Sequence, residues 1–487
     1  MTKRTWCICL LCLLAALALA CSGCQKSETP SGDVLNINLN MGEPDAEALA
    51  LVNEAFDSYI YQTLGVHAQL VSSPGPALDK KDEPDDAAPI DIASVPLFQM
   101  QQMAGTDQLY PLDGLLETDG RGLLDVLDEN SYSFICKDGP LYGLPTNGEH
   151  CQIQGFEYNR EIAEQYGLDL SGVRKPEDLT PIFAALKEKA PDISPLLIRP
   201  RTFSCDPVDY LDDGFGVLTQ GSGSTVVDLY RTEAFASLMK LFYDWQQAGY
   251  VCDYLQDGMA DSFYLASGRV FGTITTGKVG FAAQETKNIG YEMGFIPLSE
   301  PLSTTNTQST FWYVIPTSCR DPEKAMQILN LMYTDPTVAN LIMYGIEGKH
   351  YRRLSPDSNI ITYAEGPDAA RYAGLSGWAY CNQYIAYIWE GYDPDIWEQT
   401  EEMNRVAKRS PALGFQFDSS SVSDQLYRCN KASEEYLSML GQGLADPDAT
   451  LPLLQEELQQ AGIDEIIAEK QRQLDLFLQG SQADGDG

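Results

Sequence analysis

The chain has 487 residues, 44% hydrophobic and 21% charged, a globular balance that excludes wholesale disorder and exceeds what one compact core holds. Asp and Glu number 70 against 32 Lys and Arg, giving a formal charge of -38. Without a basic face to neutralise phosphate, nucleic-acid binding and broad adhesion to anionic lipid are excluded.

The chain opens on a basic start, Lys3 and Arg4, followed by an uncharged apolar run from Trp6 to Ala20. This pattern predicts an export signal over residues 1–20. At about 15 residues the run is short for a membrane span. It ends in Leu17-Ala18-Leu19-Ala20-Cys21, small residues leading into a cysteine, which resembles a lipoprotein cleavage box. Cys21 is the expected lipid attachment, with Cys24 as the alternative. Residues 21–33 are polar and contain Gly, Pro and Ser, a tether between anchor and domain.

Beyond the tether, Val34–Leu39 alternates as a strand, Asp45–Thr63 repeats apolar residues at helical spacing behind a capping aspartate, and Val66–Val71 alternates again. This strand–helix–strand start belongs to an α/β domain. Pro74–Pro89 is an acidic loop without the ligand spacing or turn glycine of a calcium loop. Strands are expected at Ile90–Val95, Val270–Thr275, Glu292–Pro297 and Phe311–Pro316. Long helices are expected at Thr232–Ala248, where Trp245 reads as core, and after the cap Asp321-Pro322-Glu323. From about residue 400 the chain reads as mostly helical, with Ile463, Ile466, Ile467, Leu474 and Phe477 on one apolar stripe.

Five cysteines lie in or beside the export segment; the others are Cys136, Cys151, Cys205, Cys252, Cys319, Cys381 and Cys429. Their spacing is wide and contains no C-x-x-C pair, which disfavours zinc ribbons and thioredoxin-like sites. Buried free thiols are expected, and any pairing is left open. Gly272 to Lys278 spells most of a P-loop, but Val279 stands where the magnesium-binding hydroxyl belongs and the segment reads as strand. With only His67, His150 and His350, a histidine triad or zinc cage is poorly supplied. No metal, cofactor or catalytic residue is expected.

Ordered landmarks carry a resemblance. Leu109–Leu115 (LYPLDGL), Gly139–Pro145 (GPLYGLP), Phe156–Leu168 (FEYNREIAEQYGL) and the strand Thr310–Ser318 with its following helix recur in this order in one class of proteins. That class is the extracellular solute-binding lipoproteins of bacterial ABC importers, the class that includes the maltose-binding protein. Tyr344–Tyr351, Ser410–Asp418 and Ala461–Leu474 are similar to a subgroup of oligosaccharide-importer lipoproteins that carry a C-terminal domain of unassigned function. One departure is the Pro74–Pro89 loop, which replaces a cleft-lining helix of the family and leaves room for a different solute.

The resemblance implies a two-lobed, type II α/β fold with a helical C-terminal extension. Lobe 1 is expected over 34–148 and 299–347, and lobe 2 over 149–298 and 348–487. Crossovers are expected near Asn147–Ile153, Pro297–Pro301 and Tyr344–Tyr351. It also implies a non-catalytic, monomeric receptor, held on the outer face of the cell membrane by its lipid alone and handing a solute to permease subunits. The alternative is an exported glycan-active enzyme or a glycan-retaining surface lipoprotein.

Sugars present apolar C–H faces rimmed by hydroxyls, so a sugar site needs aromatic platforms beside planar amides and carboxylates. The candidates placed by the expected crossovers are Tyr142, Asn147 and Glu149 at the first, Trp312 and Tyr313 after the second, and Glu347 with His350 at the third. Trp378 offers a further platform beside the amides Asn382 and Gln383. Core packing competes for each ring, and an interlobe ion pair competes for Glu149 and Glu347.

Overall fold

The computed structural model describes residues 34–39, 45–71, 89–104, 106–127, 132, 139–199, 204–252, 261–308, 311–372 and 374–483. Cys21, Cys24, Cys136 and residues 74–88 of the acidic loop lie outside the described residues.

Lobe 1 is built on a five-stranded sheet. Its strands are Val34–Asn38 (β1), His67–Val71 (β2), Ile92–Val95 (β3), Gly143–Pro145 (β4) and, returning much later, Trp312–Val314 (β9), in the order β2-β1-β3-β9-β4. The first three run parallel, and β9 is antiparallel to both β3 and β4. Ala46–Leu64 (α1) makes the crossover between β1 and β2. Asp45 starts α1 by accepting the amides of Glu47 and Ala48 at 3.1 and 3.0 Å, groups that have no partner within the helix. Ala48, Val52, Phe56 and Ile60, each four residues from the next, form the face buried on the sheet.

Lobe 2 carries a second sheet from Ile153–Asn159 (β5), Ser194–Leu197 (β6), Val270–Gly277 (β7) and Met293–Pro297 (β8), in the order β8-β5-β7-β6. The P-loop-like stretch is thus strand β7. Glu233–Gln247 (α2) buries Phe235, Leu238, Met239, Phe242 and Trp245 against this lobe's core, and the Trp245 indole donates to Thr180 Oγ1 at 2.9 Å. The same core takes Cys429 and Leu440 from Ser423–Gly441 (α7), Leu454 and Leu458 from Pro447–Ala461 (α8), and Ile463 and Ile466 from Ile463–Ala483 (α9). These C-terminal helices are therefore part of lobe 2 rather than an appendage. Cys151, Cys205, Cys381 and Cys429 are buried thiols.

One acid inside lobe 2 makes its stability depend on pH. Glu157 on β5 is fully buried, neither carboxylate oxygen accepts a hydrogen bond among the described residues, and Arg199 approaches only to 3.6 Å. Burial therefore outweighs the guanidinium and pushes its pKa up to about 7. Between about pH 4.5 and 7 the folded chain binds a proton that the unfolded chain has released, so this contribution to stability falls as pH rises. Glu157→Gln is expected to flatten the melting-temperature profile across that window and to stabilise the chain at pH 8; a profile unchanged from wild type would contradict the assignment.

The third crossover departs from expectation. Residues 348–389 were expected in lobe 2, but Ile342 and Met343 share the lobe 1 core with Tyr372, Leu375, Ala379, Tyr380, Cys381 and Ala386. Pro322–Thr334 (α4) and Pro336–Tyr344 (α5) provide the surface on which this stretch folds back. A small sheet of Tyr351–Arg353 (β10), Ile360–Tyr363 (β11) and Ile388–Trp389 (β12) accompanies it. The chain returns to lobe 2 only after Ile396–Val406 (α6), where Ala412 and Phe415 pack with Leu211, Leu218, Val226 and Leu474. Burial of a tyrosine-rich stretch on lobe 1 thus moves the crossing from Tyr344–Tyr351 to residues 407–410. There the three crossing segments lie side by side: Gln152 and Leu302 exchange backbone bonds at 3.0 Å, and Lys408 and Ser410 donate to Pro301 and Ser303 at 3.0 and 2.8 Å.

Candidate functional site

Between the lobes lies a cavity of about 540 Å³. Lobe 2 contributes Lys278 and Val279 after β7, and Gln284, Lys287 and Asn288 from Phe281–Ile289 (α3). The first crossover contributes Glu149. The facing wall is aromatic: Tyr344, Tyr363, Trp378, Tyr387, Trp389, Tyr392 and Trp397, with Gln383 and Ser376 among them.

Most of this wall comes from residues 376–397, a stretch with little regular structure. Side chains that bond backbone hold it in place instead. Asn340 accepts the Tyr387 amide at 2.7 Å, Tyr344 donates to the Tyr387 carbonyl at 2.8 Å, and the Trp397 indole donates to the Ala386 carbonyl at 3.0 Å. On the lobe 2 side, Gly280 has φ of 73° and a Cβ there would meet Ile396 Cδ1 at 2.5 Å, so glycine is what lets the stretch seat Tyr392 and Ile396 on the start of α3.

Trp378 is 45% exposed and is backed by Phe311, with ring centroids 5.6 Å apart and planes inclined by 29°. Tyr363 is also exposed and rests against Trp389 at 4.7 Å. Supported rings with one free face can take the apolar face of a sugar. Lys287 places its ammonium 5.2 Å from the Trp389 ring and 5.0 Å from Tyr392. Partial burial there draws its pKa down. Lys278 is paired with Glu149 at 2.8 Å, an ion pair from the end of β7 to the first crossover.

The structure brings three of the sequence-derived candidates, Glu149, Trp378 and Gln383, into this cleft. The others lie elsewhere. Trp312 and Tyr313 are fully buried in β9, and the Tyr313 hydroxyl donates to the Ala379 carbonyl at 2.5 Å, supporting the Trp378 turn from beneath. Asn382 is buried, donating to the Tyr333 carbonyl at 2.8 Å and accepting the Tyr384 amide at 3.2 Å. Asn147 donates to the Val126 carbonyl at 2.9 Å and lines a separate cavity of about 440 Å³ with His150, Asn404 and Arg409. Tyr142 packs against the cluster of Ala93, Leu97 and Trp312. Glu347 pairs with Arg353 at 2.9 Å. His350 is buried against Tyr372, its Nδ1 accepts the Ile346 amide at 3.0 Å, and desolvation lowers its pKa.

Tyr363, Tyr387, Trp389, Tyr392 and Trp397 were not among the candidates. A signal for most of them was present. Residues 377–397 hold three of the chain's six tryptophans, Trp378, Trp389 and Trp397, together with Tyr380, Tyr384, Tyr387 and Tyr392. Among the described residues no group of three or more His, Cys, Asp or Glu could hold a metal ion, and no helix is long and apolar enough to cross a membrane.

Both the sequence and the fold have matches among known proteins. A carbohydrate ABC transporter substrate-binding protein of Streptococcus pneumoniae serotype 4 (strain ATCC BAA-334 / TIGR4) is 28% identical over 381 residues, 76% of each chain. The chain is similar to this solute-binding protein of an ABC transporter. A crystal structure of the N-glycan transport solute binding protein (NgtS) of Streptococcus pneumoniae has the same fold, with a TM-score of 0.80 at 24% identity over 92% of this chain and 99% of that one. The complex of NgtS with Man1GlcNAc gives a TM-score of 0.67 at 25% identity over the same shares. Residues 411–479 match a domain of unknown function, DUF3502, which in this solute-binding fold comprises α7–α9 and the loop before them. These relatives are substrate-binding proteins of transporters, not enzymes.

Proposed function

We propose that this chain is an exported, lipid-anchored receptor that captures an oligosaccharide between its lobes and delivers it to an ABC permease. The observation that carries the reading is the cleft wall of supported aromatic rings facing amides and paired charges, which suits stacking and hydrogen bonding to several sugar rings. Glu149 and Trp378 are proposed as ligand contacts, joined by Trp389 and Tyr363. Export and anchoring are supported by the apolar run before Cys21 and by Cys24 beside it. Delivery to a permease is supported by the carbohydrate-transporter relative.

A thermal-shift screen tests the reading, with Man1GlcNAc, Man5GlcNAc, maltotriose and a control peptide. A ligand that binds only the folded chain at about 100 times its Kd adds about 2.7 kcal/mol, a readily measured rise. The expected result is a rise with at least one oligosaccharide and none with the peptide. A rise with the peptide alone would overturn the sugar.

A further inference from the structure

Resting on that reading, we infer that Gln383 is the specificity-determining donor of the cleft, its Nε2 waiting for an acceptor oxygen of the bound solute. Gln383 lines the cavity, yet it is only 1% exposed, and its Nε2 has no hydrogen-bond partner among the described residues. A buried donor without an acceptor costs stability, so its persistence asks for a partner that arrives from outside.

The side chain is held where it is. The Gln383 backbone N–H donates to the Asn147 backbone carbonyl at 3.1 Å, and the Ala386 backbone N–H donates to the Gln383 backbone carbonyl at 3.1 Å. At Gly148 an added Cβ would lie 2.9 Å from both Cδ and Nε2 of Gln383, so the first crossover presses directly on the carboxamide. Trp378 follows Gly377, whose Cβ would lie 3.4 Å from Gln383 Oε1. The carboxamide therefore lies between the first crossover, against which Nε2 packs, and the turn that carries the Trp378 indole, and Gln383 and Trp378 line the same cavity. The neighbouring amide Asn382 cannot serve, since its donor and acceptor are already committed to Tyr333 and Tyr384.

The test measures Kd for Man1GlcNAc and Man5GlcNAc by calorimetry, and the melting temperature without ligand, for wild type, Gln383→Leu, Gln383→Glu and Trp378→Ala. Gln383→Leu is expected to weaken binding about tenfold, the loss of one neutral hydrogen bond, without lowering the unliganded melting temperature. Gln383→Glu keeps the shape but replaces the donor by an acceptor, and is expected to bind at least as weakly as Gln383→Leu. A purely structural glutamine would instead lower the unliganded melting temperature and leave Kd alone. If wild type binds, Trp378→Ala loses affinity and both Gln383 variants bind like wild type, the inference fails while the receptor reading stands. A wild type that binds neither these glycans nor maltotriose overturns both.

Discussion

Replacing Trp378 by alanine is expected to weaken oligosaccharide binding by about 2 kcal/mol, roughly thirtyfold in Kd, with little change in fold stability. The indole is nearly half exposed in the unliganded chain, so its removal takes away little core. Phe311 behind it fixes the plane of the ring, and the Tyr313 hydroxyl holds the turn that carries it. The face that remains is preorganised for an apolar sugar face, and most of its burial occurs on binding. Trp312→Ala is the contrasting case. That ring is fully buried, so the variant should lose stability first and affinity only in consequence. Calorimetry combined with thermal melts separates the two. Equal Kd values for wild type and Trp378→Ala would remove this ring from the site.

The second large effect concerns the C-terminal helices. Lys470 on α9 is fully buried, and its ammonium donates to the carbonyls of Leu211, Phe215 and Gly216 at 3.0, 3.1 and 3.2 Å and to the Asp213 carboxylate at 2.7 Å. Phe417 closes the cage, its ring centroid 4.8 Å from the nitrogen. Burial pulls the Lys470 pKa down and the Asp213 pKa up, while each draws the other back toward its charged form. The loop it fills includes two non-glycine residues with positive φ, Leu211 at 45° and Asp212 at 77°, a conformation that needs outside support. Lys470→Met leaves a buried carboxylate and three carbonyls without their cation. It is expected to destabilise the chain by about 3–5 kcal/mol in denaturant unfolding. A loss below about 1 kcal/mol would show that the cage contributes little.

Local signals were legible in the sequence, and long-range ones were not. Asp45, Thr232 and Asp321 mark helix starts because a capping side chain bonds amides two or three residues away. The third crossing was misplaced because its position depends on Tyr372–Ala386 folding back onto α5, a choice settled by contacts distant in sequence. The stripe on α9 was read from Ile463, Ile466 and Leu474. Lys470 lies on that same face, four residues from both Ile466 and Leu474, and pattern reasoning sends a lysine to solvent unless its partners are known. In the cleft, composition supplied aromatics in abundance without saying which are outermost. Trp312 and Trp378 look alike in sequence, and only the pairing of β9 between β3 and β4 buries the first. Of the two adjacent amides, Asn382 is consumed by bonds to Tyr333 and Tyr384 and Gln383 is left to the cavity, a distinction that no residue type encodes.

The central claim is capture of an oligosaccharide in the interlobe cleft without turnover. Calorimetric titration of the chain with Man5GlcNAc, followed by chromatography of the recovered glycan, tests it most directly. The account predicts saturable binding, glycan recovered intact, and binding weakened about thirtyfold in Trp378→Ala. Shortened glycan in the recovered pool, or binding as tight in Trp378→Ala as in wild type, would contradict it.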